Sequence, residues 1–182
     1  MKKGYKLGFC GSVSVGKTTL VNELAKLELE QFKEYYIATE RSKYLRDLGI
    51  PLNTDSTLLG QSIFLSERCS ELLRNKVLTD RSIIDVMAFT NLSKSISTVE
   101  KESFCNYASN FISLYDHIFY VSPEGVKLED NGVRAVDAEY RDQIDEEIKY
   151  LLGIHKSKIK NFHVISGTIG ERIEQVKQAL SL

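Results

Sequence analysis

The sequence predicts an α/β protein in which a mostly parallel, five-stranded sheet is covered by helices on both faces. Short apolar runs alternate along the chain with longer segments of helical period, and a strand, a helix and a second strand in succession form a right-handed crossover between parallel strands. The 182 residues, of which 42% are hydrophobic and 27% charged, suffice for a sizeable core. We therefore expect one three-layer domain over residues 1–182.

The individual elements follow from this alternation. Strands are predicted at Tyr5–Cys10, Tyr35–Ala38, Val77–Thr79, His117–Val121 and Phe162–Ile165. Helices are predicted at Lys17–Glu30, Ser42–Leu48, Ser56–Asn75, Ile83–Leu92, Thr98–Phe111, Asp137–Leu152 and Thr168–Leu180. The last helix repeats its apolar residues at helical spacing, with Arg172 and Lys177 among the charged residues between them. This pattern predicts one buried face, with the charged residues outside it.

Composition excludes several classes of protein. Lys and Arg total 24 against 25 for Asp and Glu, so the net charge indicates no basic footprint of the kind that neutralises nucleic-acid phosphates, although local basic clusters stay open. Three widely spaced cysteines form neither an even disulfide set nor a paired metal motif. No apolar stretch approaches the roughly 18–20 residues that cross a bilayer. These features predict a soluble cytoplasmic protein with reduced thiols, and they argue against nucleic-acid and membrane partners.

A glycine-rich segment links the first predicted strand to the first helix. It fits the pattern G-x-x-x-x-G-K-[ST], and its candidate phosphate-binding residues are Gly11, Ser12, Val13, Ser14, Val15, Gly16, Lys17, Thr18 and Thr19. Glycines let the backbone approach a polyphosphate and aim its N–H groups inward, next to the positive end of a helix dipole. A plain turn would explain the glycines but not the pair Lys17-Thr18, which is suited to the β- and γ-phosphates and to Mg²⁺. Thr19 could equally be an ordinary first-turn residue.

Asp80 and Arg81 follow the third predicted strand, at the edge where open α/β sheets bind ligands. A carboxylate there could hold the water shell of Mg²⁺ or orient an acceptor, and an arginine could bind a phosphate or a hydroxyl group. The alternative is an Asp that caps the following helix beside a solvated Arg. The phosphate-binding pattern favours the functional interpretation.

Glu40 and Arg41 follow the second predicted strand in the same way. We expect this strand to adjoin the strand that precedes the phosphate loop. Glu40 would then be placed to accept the proton of an attacking hydroxyl, and Arg41 to hold an anionic substrate group. A helix-opening Glu with a surface Arg is the alternative.

Arg134 and Arg141 lie seven residues apart in the charged segment that precedes and begins the sixth predicted helix. We interpret residues 123–152 as a lid, because arginines carried by a closing lid can stabilise the charge of a transferring phosphoryl group. A solvated helix with an Arg141–Asp145 pair is the alternative. The three histidines show no ligand spacing and are expected to be structural, and most aromatic residues are expected to pack in the core.

With these motifs, the chain resembles P-loop nucleoside and nucleotide kinases, and in particular the NadR-like ATPase/kinase group. The resemblance extends over nearly the whole chain and rests on Gly11–Thr18, Glu40-Arg41, Thr79–Asp85, Tyr115–His117, Gly132–Arg134 and Tyr140-Arg141. It implies a P-loop NTPase fold, ATP and Mg²⁺ as cofactors, an acceptor pocket framed by Glu40 and Asp80-Arg81, and a helical lid. The chain departs from bifunctional NadR proteins, having no room for an adenylyltransferase domain, and from thymidylate kinases, lacking a Glu-Pro pair after the second strand.

The sequence therefore predicts an ATP- and Mg²⁺-dependent kinase for a small nucleoside or nucleotide, with nicotinamide riboside, nucleosides and nucleoside monophosphates as candidate acceptors. Its candidate catalytic residues are Lys17, Glu40, Asp80, Arg81, Arg134 and Arg141, and its candidate metal ligands are Thr18 and Asp80. Two alternatives stay open: a regulatory or assembly ATPase that signals to a protein partner, and a protein that binds a nucleotide without turning it over. Whether the chain forms a homodimer is not determined by the sequence.

Overall fold

Five parallel strands form one sheet in the order β2-β3-β1-β4-β5. The computed structural model describes residues 4–27, 32, 34–39, 42–124 and 138–182. The strands are β1 (Lys6–Cys10), β2 (Tyr36–Ala38), β3 (Val77–Thr79), β4 (His117–Val121) and β5 (Phe162–Ile165). The helices are α1 (Lys17–Lys26), α2 (Ser42–Asp47), α3 (Leu58–Glu71), α4 (Ile83–Asn91), α5 (Thr98–Ala108), α6 (Ala138–Ile154) and α7 (Ile169–Ala179). Short 3-10 turns lie at Asn53–Asp55, Ser109–Leu114 and Lys156–Lys158. The predicted fold class is thereby confirmed.

Both faces of the sheet are buried, as in parallel sheets generally. One face packs against α1 and α7, and the opposite face packs against α3, α4 and α6. On the first face, the rings of Phe9 and Phe119 from adjacent strands stack with their centroids 5.1 Å apart. On the second face the ring of Tyr115 lies so close to Gly8 that an added Cβ would be 2.7 Å from it. Glycine at position 8 therefore makes room for a buried tyrosine.

The neighbour of β1 differs from the prediction. β2 pairs with β3, and β3 pairs with β1, so the expectation that the strand before Glu40 adjoins the phosphate-loop strand is wrong. All three residues of β3 are buried, whereas β2 begins with the exposed Tyr36. The fully buried strand thus occupies the inner position, where both of its faces are covered.

The fifth helix is shorter than predicted. α5 ends at Ala108 and the chain continues as a 3-10 turn to Leu114. The Ser109 hydroxyl donates to the carbonyl of Asn106 at 2.9 Å, and the Asn110 side chain donates to the same carbonyl at 3.3 Å. Both side chains thus donate to a backbone carbonyl at the end of the helix. Polar side chains commonly compete in this way with the hydrogen bonds of a helix.

Two histidines meet on the sheet face that packs against α1 and α7. His117 Nδ1 lies 3.0 Å from His163 Nε2, and the edge of the Tyr5 ring packs on His117. Burial lowers the pKa of both imidazoles. At His117 the neighbouring His163 lowers the pKa further, and Asp116 raises it weakly. The structural role predicted for these histidines is consistent with this arrangement.

This pair should make folding stability depend on pH. Because the folded-state pKa of each histidine lies below its unfolded value of about 6.5, the unfolded chain binds more protons as the pH falls below that value, and stability is lost. We expect His117→Phe to remove part of the fall in Tm between about pH 7.5 and pH 5.5, by about 2–4 °C for each kcal/mol regained. Thermal unfolding followed by circular dichroism checks this. An unchanged pH dependence in the variant would contradict it.

Candidate active site

The segment between β1 and α1 is a curled loop. Its backbone has positive φ at Gly11 (153°), Ser14 (56°) and Gly16 (85°), and two of these positions carry glycine, which enters that region without strain. A Cβ at Gly11 would also lie 2.6 Å from the carbonyl oxygen of Val121. The loop passes directly into α1, which begins at Lys17. The glycines thus form the turn that places a helix N-terminus behind the loop.

Lys17 closes this loop from the inside. Its ammonium group donates to the carbonyl oxygens of Gly11 at 2.5 Å and Ser12 at 2.8 Å, and only 7% of its surface is exposed. The same nitrogen lies 3.9 Å from a carboxylate oxygen of Asp85. The loop therefore holds a positive charge at its centre, which is the electrostatic arrangement that a polyphosphate requires.

Asp85 fastens the start of the loop to the helix beside it. One carboxylate oxygen accepts from the N–H of Gly11 at 3.1 Å, and the other accepts from the N–H and the hydroxyl of Ser82, each at 2.8 Å. Ser82 in turn caps α4, so Asp85 completes a capping box. The helix cap is thus Ser82 and not the aspartate that the alternative interpretation of Asp80 required. The spacing of Ser82 and Asp85, three residues apart, could have predicted this capping box. No local pattern could have predicted the hydrogen bond from Gly11 to Asp85.

Arg172 holds the opposite side of the loop, from α7. Its guanidinium group donates to the carbonyl oxygen of Val15 at 2.6 Å and to that of Ser122 at 3.2 Å, and its side chain is 2% exposed. The expectation that Arg172 lies outside the buried face of the last helix is therefore wrong. The long side chain thus reaches from α7 to one carbonyl of the loop and to the carbonyl that directly follows β4.

Thr18 and Asp80 meet at the exposed mouth of the loop. The Thr18 hydroxyl donates to a carboxylate oxygen of Asp80 at 2.6 Å, across the 62 positions that separate them in sequence. The Thr18 side chain faces solvent at the start of α1, whereas Asp80 is buried at the end of β3. A hydroxyl beside a carboxylate is the oxygen donor set that Mg²⁺ prefers, so this pair fits the metal role predicted for both residues. Thr19 is exposed beside it on the first turn of α1.

The Arg81 side chain packs against two aromatic rings. Its guanidinium carbon lies 4.5 Å from the centroid of the Phe89 ring and 5.3 Å from that of Phe64. Arg68 donates to the carbonyl oxygen of Arg81 at 3.3 Å and forms a buried ion pair with Glu71 at 2.8 Å. The guanidinium of Arg81 is therefore buried and oriented between aromatic rings, and it is not solvated as the alternative interpretation required.

A small recess lies beside the side chain of Arg81 and the two phenylalanine rings. It is lined by Ser42, Leu52, Asn53, Gln61, Phe64, Arg81 and Phe89. Gln61 is 2% exposed, and its side-chain carbonyl oxygen is buried without a hydrogen-bond donor among the described residues. A buried acceptor without a donor costs free energy, so this oxygen is available to a water or to a polar group of a ligand. No pattern in the sequence points to Gln61, because α3 carries no motif.

Arg141 lies beside the loop at the start of α6. Its backbone carbonyl accepts from the Ser12 hydroxyl at 2.5 Å, and its guanidinium donates to the carbonyl oxygen of Pro123 at 3.3 Å. One turn later Asp145 accepts from the Tyr120 hydroxyl at 2.7 Å. Arg141 is buried, so the interpretation of this stretch as a wholly solvated helix is wrong. Glu40, Arg41 and Arg134 lie outside the described residues, as does most of the connection that precedes α6 within the predicted lid.

Solved structures share this fold at low sequence identity. The chain is similar to the NadR protein solved in complex with NAD and AMP-PNP, with a TM-score of 0.72 and 15% identity over 98% of this chain and 50% of that chain. It is similar to thymidylate kinase from Ehrlichia chaffeensis, with a TM-score of 0.68 and 16% identity over 98% and 99% of the two chains. It is also similar to deoxyadenosine kinase from M. mycoides with bound dCTP, with a TM-score of 0.63 and 15% identity over 97% and 98%. No curated protein matches the chain.

The described part of the chain contains no helix that is both long and apolar enough to cross a membrane. The family model for an AAA domain matches residues 6–172, which is most of the chain. Together with the curled loop that Lys17 closes, these matches relate the fold to that of nucleoside kinases. The chain therefore belongs to the AAA-domain family and has a P-loop kinase-like fold.

Proposed function

We propose that this protein is a kinase that transfers the γ-phosphoryl group of ATP to a small nucleoside or nucleotide. The observation that supports this best is the position of two consecutive residues. Asp80 contacts Thr18 at the mouth of the loop, and Arg81 lines the recess on the other side. A phosphate donor in the loop and an acceptor in the recess would thus meet at the end of β3, as phosphoryl transfer requires.

The donor would bind to the loop through its phosphates. Lys17 would exchange its bonds to the carbonyls of Gly11 and Ser12 for bonds to phosphate oxygens, and the loop N–H groups would bind the remaining oxygens. Thr18 and Asp80 would hold Mg²⁺, which when bound neutralises the charge of the β- and γ-phosphates. The buried position of Asp80 fixes its carboxylate before any ligand arrives.

The acceptor would bind at the recess through a planar ring, and the recess would have to widen around it because it now has room for about one water. Phe64 and Phe89 supply apolar walls, Gln61 supplies an amide that can both donate and accept, and Arg81 supplies a cation for an anionic or hydroxyl group. Nucleobases and the pyridine carboxamide of nicotinamide riboside have this combination of a flat apolar face and a polar edge. We therefore propose a nucleoside or its monophosphate as the acceptor, and Glu40 or Asp80 would accept the proton of its attacking hydroxyl.

Arg141 would contribute charge to the transfer from the side of α6. Its guanidinium bonds to the Pro123 carbonyl, close to the end of β4. Arg134 is proposed for the same role on the basis of the sequence. Both would act together with a lid over residues 123–152, which would exclude water from the reaction.

A panel of acceptors tests this function. We expect nicotinamide riboside, a nucleoside or a nucleoside monophosphate to raise the rate of ADP release in the presence of Mg²⁺ and ATP. In Gln61→Leu the KM for that acceptor should rise by about 10- to 100-fold, the effect of losing one buried hydrogen bond, while the KM for ATP stays constant.

Gln178→Leu is the matched control. Gln178 is an exposed residue of α7 and is distant in sequence from the residues that line the recess. ADP release that no acceptor accelerates would support the regulatory ATPase, and ATP binding without any ADP release would support a protein that only binds the nucleotide. Either result would overturn the proposed kinase. An equal KM for the acceptor in Gln61→Leu would overturn the assignment of the recess.

A further inference from the structure

Arg172 is a buried cation whose described contacts are all uncharged. Its two terminal nitrogens donate to the carbonyl oxygens of Val15 and Ser122, and its Nε has no hydrogen-bond partner among the residues that the structure describes. Among the residues described by the structure, no carboxylate lies within ion-pair distance of this guanidinium. Burial lowers the pKa of Arg172, although an arginine this basic stays charged at neutral pH.

A buried charge is costly unless an opposite charge or aligned dipoles compensate it. Two carbonyl dipoles compensate Arg172 only in part. The guanidinium lies against the loop that closes around Lys17, and Nη1 would be 3.4 Å from a Cβ at Gly16. Two cations therefore flank the same turn of backbone, Lys17 from the inside and Arg172 from the outside.

The hydrogen bond to Val15 also fixes the orientation of one peptide group. In a planar trans peptide the C=O and the following N–H point in opposite directions. Because Arg172 binds the Val15 oxygen on the outer side of the loop at 2.6 Å, the N–H of Gly16 is directed to the inner side. That N–H is one of the donors that a phosphate in the loop would use.

We propose that Arg172 is a positioning residue of the phosphate site: it locks the Val15–Gly16 peptide with its N–H inward and supplies a buried positive charge that a bound polyphosphate complements. This inference rests on the proposed nucleotide-binding function of the loop. It adds a residue of α7, distant in sequence, to the machinery that binds the phosphates. Arg172 need not touch the nucleotide to act in this way.

Binding of Mg²⁺-tripolyphosphate by titration calorimetry tests the inference without requiring catalysis. We expect Arg172→Met to weaken this binding by about 10- to 100-fold, the range for a charge-assisted hydrogen bond. Arg172→Lys keeps the charge but loses the two-pronged geometry. Its affinity for Mg²⁺-tripolyphosphate should lie between that of Arg172→Met and that of the native protein. In assays of ADP release the KM for ATP should rise in the same order, while kcat and the KM of the acceptor change little.

Lys177→Met is the control, since it removes a cation from the same helix and leaves only the partner Glu174 without its ion pair. A folded Arg172→Met protein that binds tripolyphosphate as tightly as the native protein would overturn the inference. Should Arg172→Met fail to fold, unchanged affinity in Arg172→Lys would overturn it equally. If the native protein itself binds neither tripolyphosphate nor ATP, the proposed function fails instead, so the two failures are distinguishable.

Discussion

Lys17→Ala is expected to abolish phosphoryl transfer and to leave the fold intact. The Lys17 ammonium group is the positive charge at the centre of the loop, where the β- and γ-phosphates would bind. Preorganised charges of this kind contribute more to the transition state than to the ground state. Removing it should lower kcat by about 10³-fold or more. Steady-state assays of ADP release with the best acceptor measure this effect.

The fold should survive because the hydrogen bonds of Lys17 go to loop carbonyls, and because Asp85, 3.9 Å from the ammonium group, keeps its own hydrogen bonds to Gly11 and Ser82. We expect the Tm of Lys17→Ala to stay close to that of the native protein. Lys26→Ala is the matched control, since Lys26 is an exposed lysine of the same helix that pairs with Glu23. An active Lys17→Ala protein would refute the assignment of the site.

Asp80→Asn should have the second-largest effect. Asparagine has nearly the shape of aspartate and can still accept the hydrogen bond from Thr18, but it lacks the negative charge that holds a divalent cation. We expect kcat to fall by about 10²- to 10³-fold. The Mg²⁺ concentration that gives half of the maximal rate should rise at the same time.

Asp47→Asn serves as the control, because Asp47 is exposed at the end of α2 and contacts Arg46. The decisive measurement is the rate as a function of Mg²⁺ at fixed ATP. A loss of rate in Asp80→Asn with an unchanged Mg²⁺ dependence would assign Asp80 to the acceptor and would remove it from the metal site.

The layered fold and the phosphate loop could be predicted because both are encoded locally. The strands Val77–Thr79, His117–Val121 and Phe162–Ile165 lie where their apolar runs place them, since each run ends at polar or turn-forming residues. The loop pattern likewise lies within eight consecutive residues, so the start of α1 at Lys17 was predictable. Local patterns of this kind need no knowledge of the partner elements.

The order of strands and the supports of the loop could not be predicted in this way. Which strand lies next to β1 depends on how much of β2 and β3 the helices cover, which is a property of the assembled layers. Arg172 occupies a polar position in a helical pattern, and only its length lets it reach the Val15 carbonyl. Periodicity reports the direction of a Cβ and not the place where a long side chain ends.

The recess could not be predicted either, because it forms only when separate helices pack together. Gln61 and Phe64 are separated by nearly one helical turn in α3, and they become neighbours of Phe89 only when α3 packs against α4. Nothing in the spacing of α3 distinguishes a glutamine that lines a recess from one that faces solvent. Arg81 was identified because it follows a strand, a position where ligand contacts are common.

The double attachment of Asp85 has a consequence for how the proposed donor and acceptor would influence one another. This carboxylate bonds to Gly11 in the loop and also closes the capping box of α4, the helix that carries Phe89 into the recess. A donor that shifts the Gly11 N–H would therefore also shift the carboxylate that caps α4, and an acceptor that moves α4 would act on the loop through the same carboxylate. Because such linkage is reciprocal, each substrate should enhance the affinity for the other, and the protein should bind its two ligands cooperatively through a single side chain.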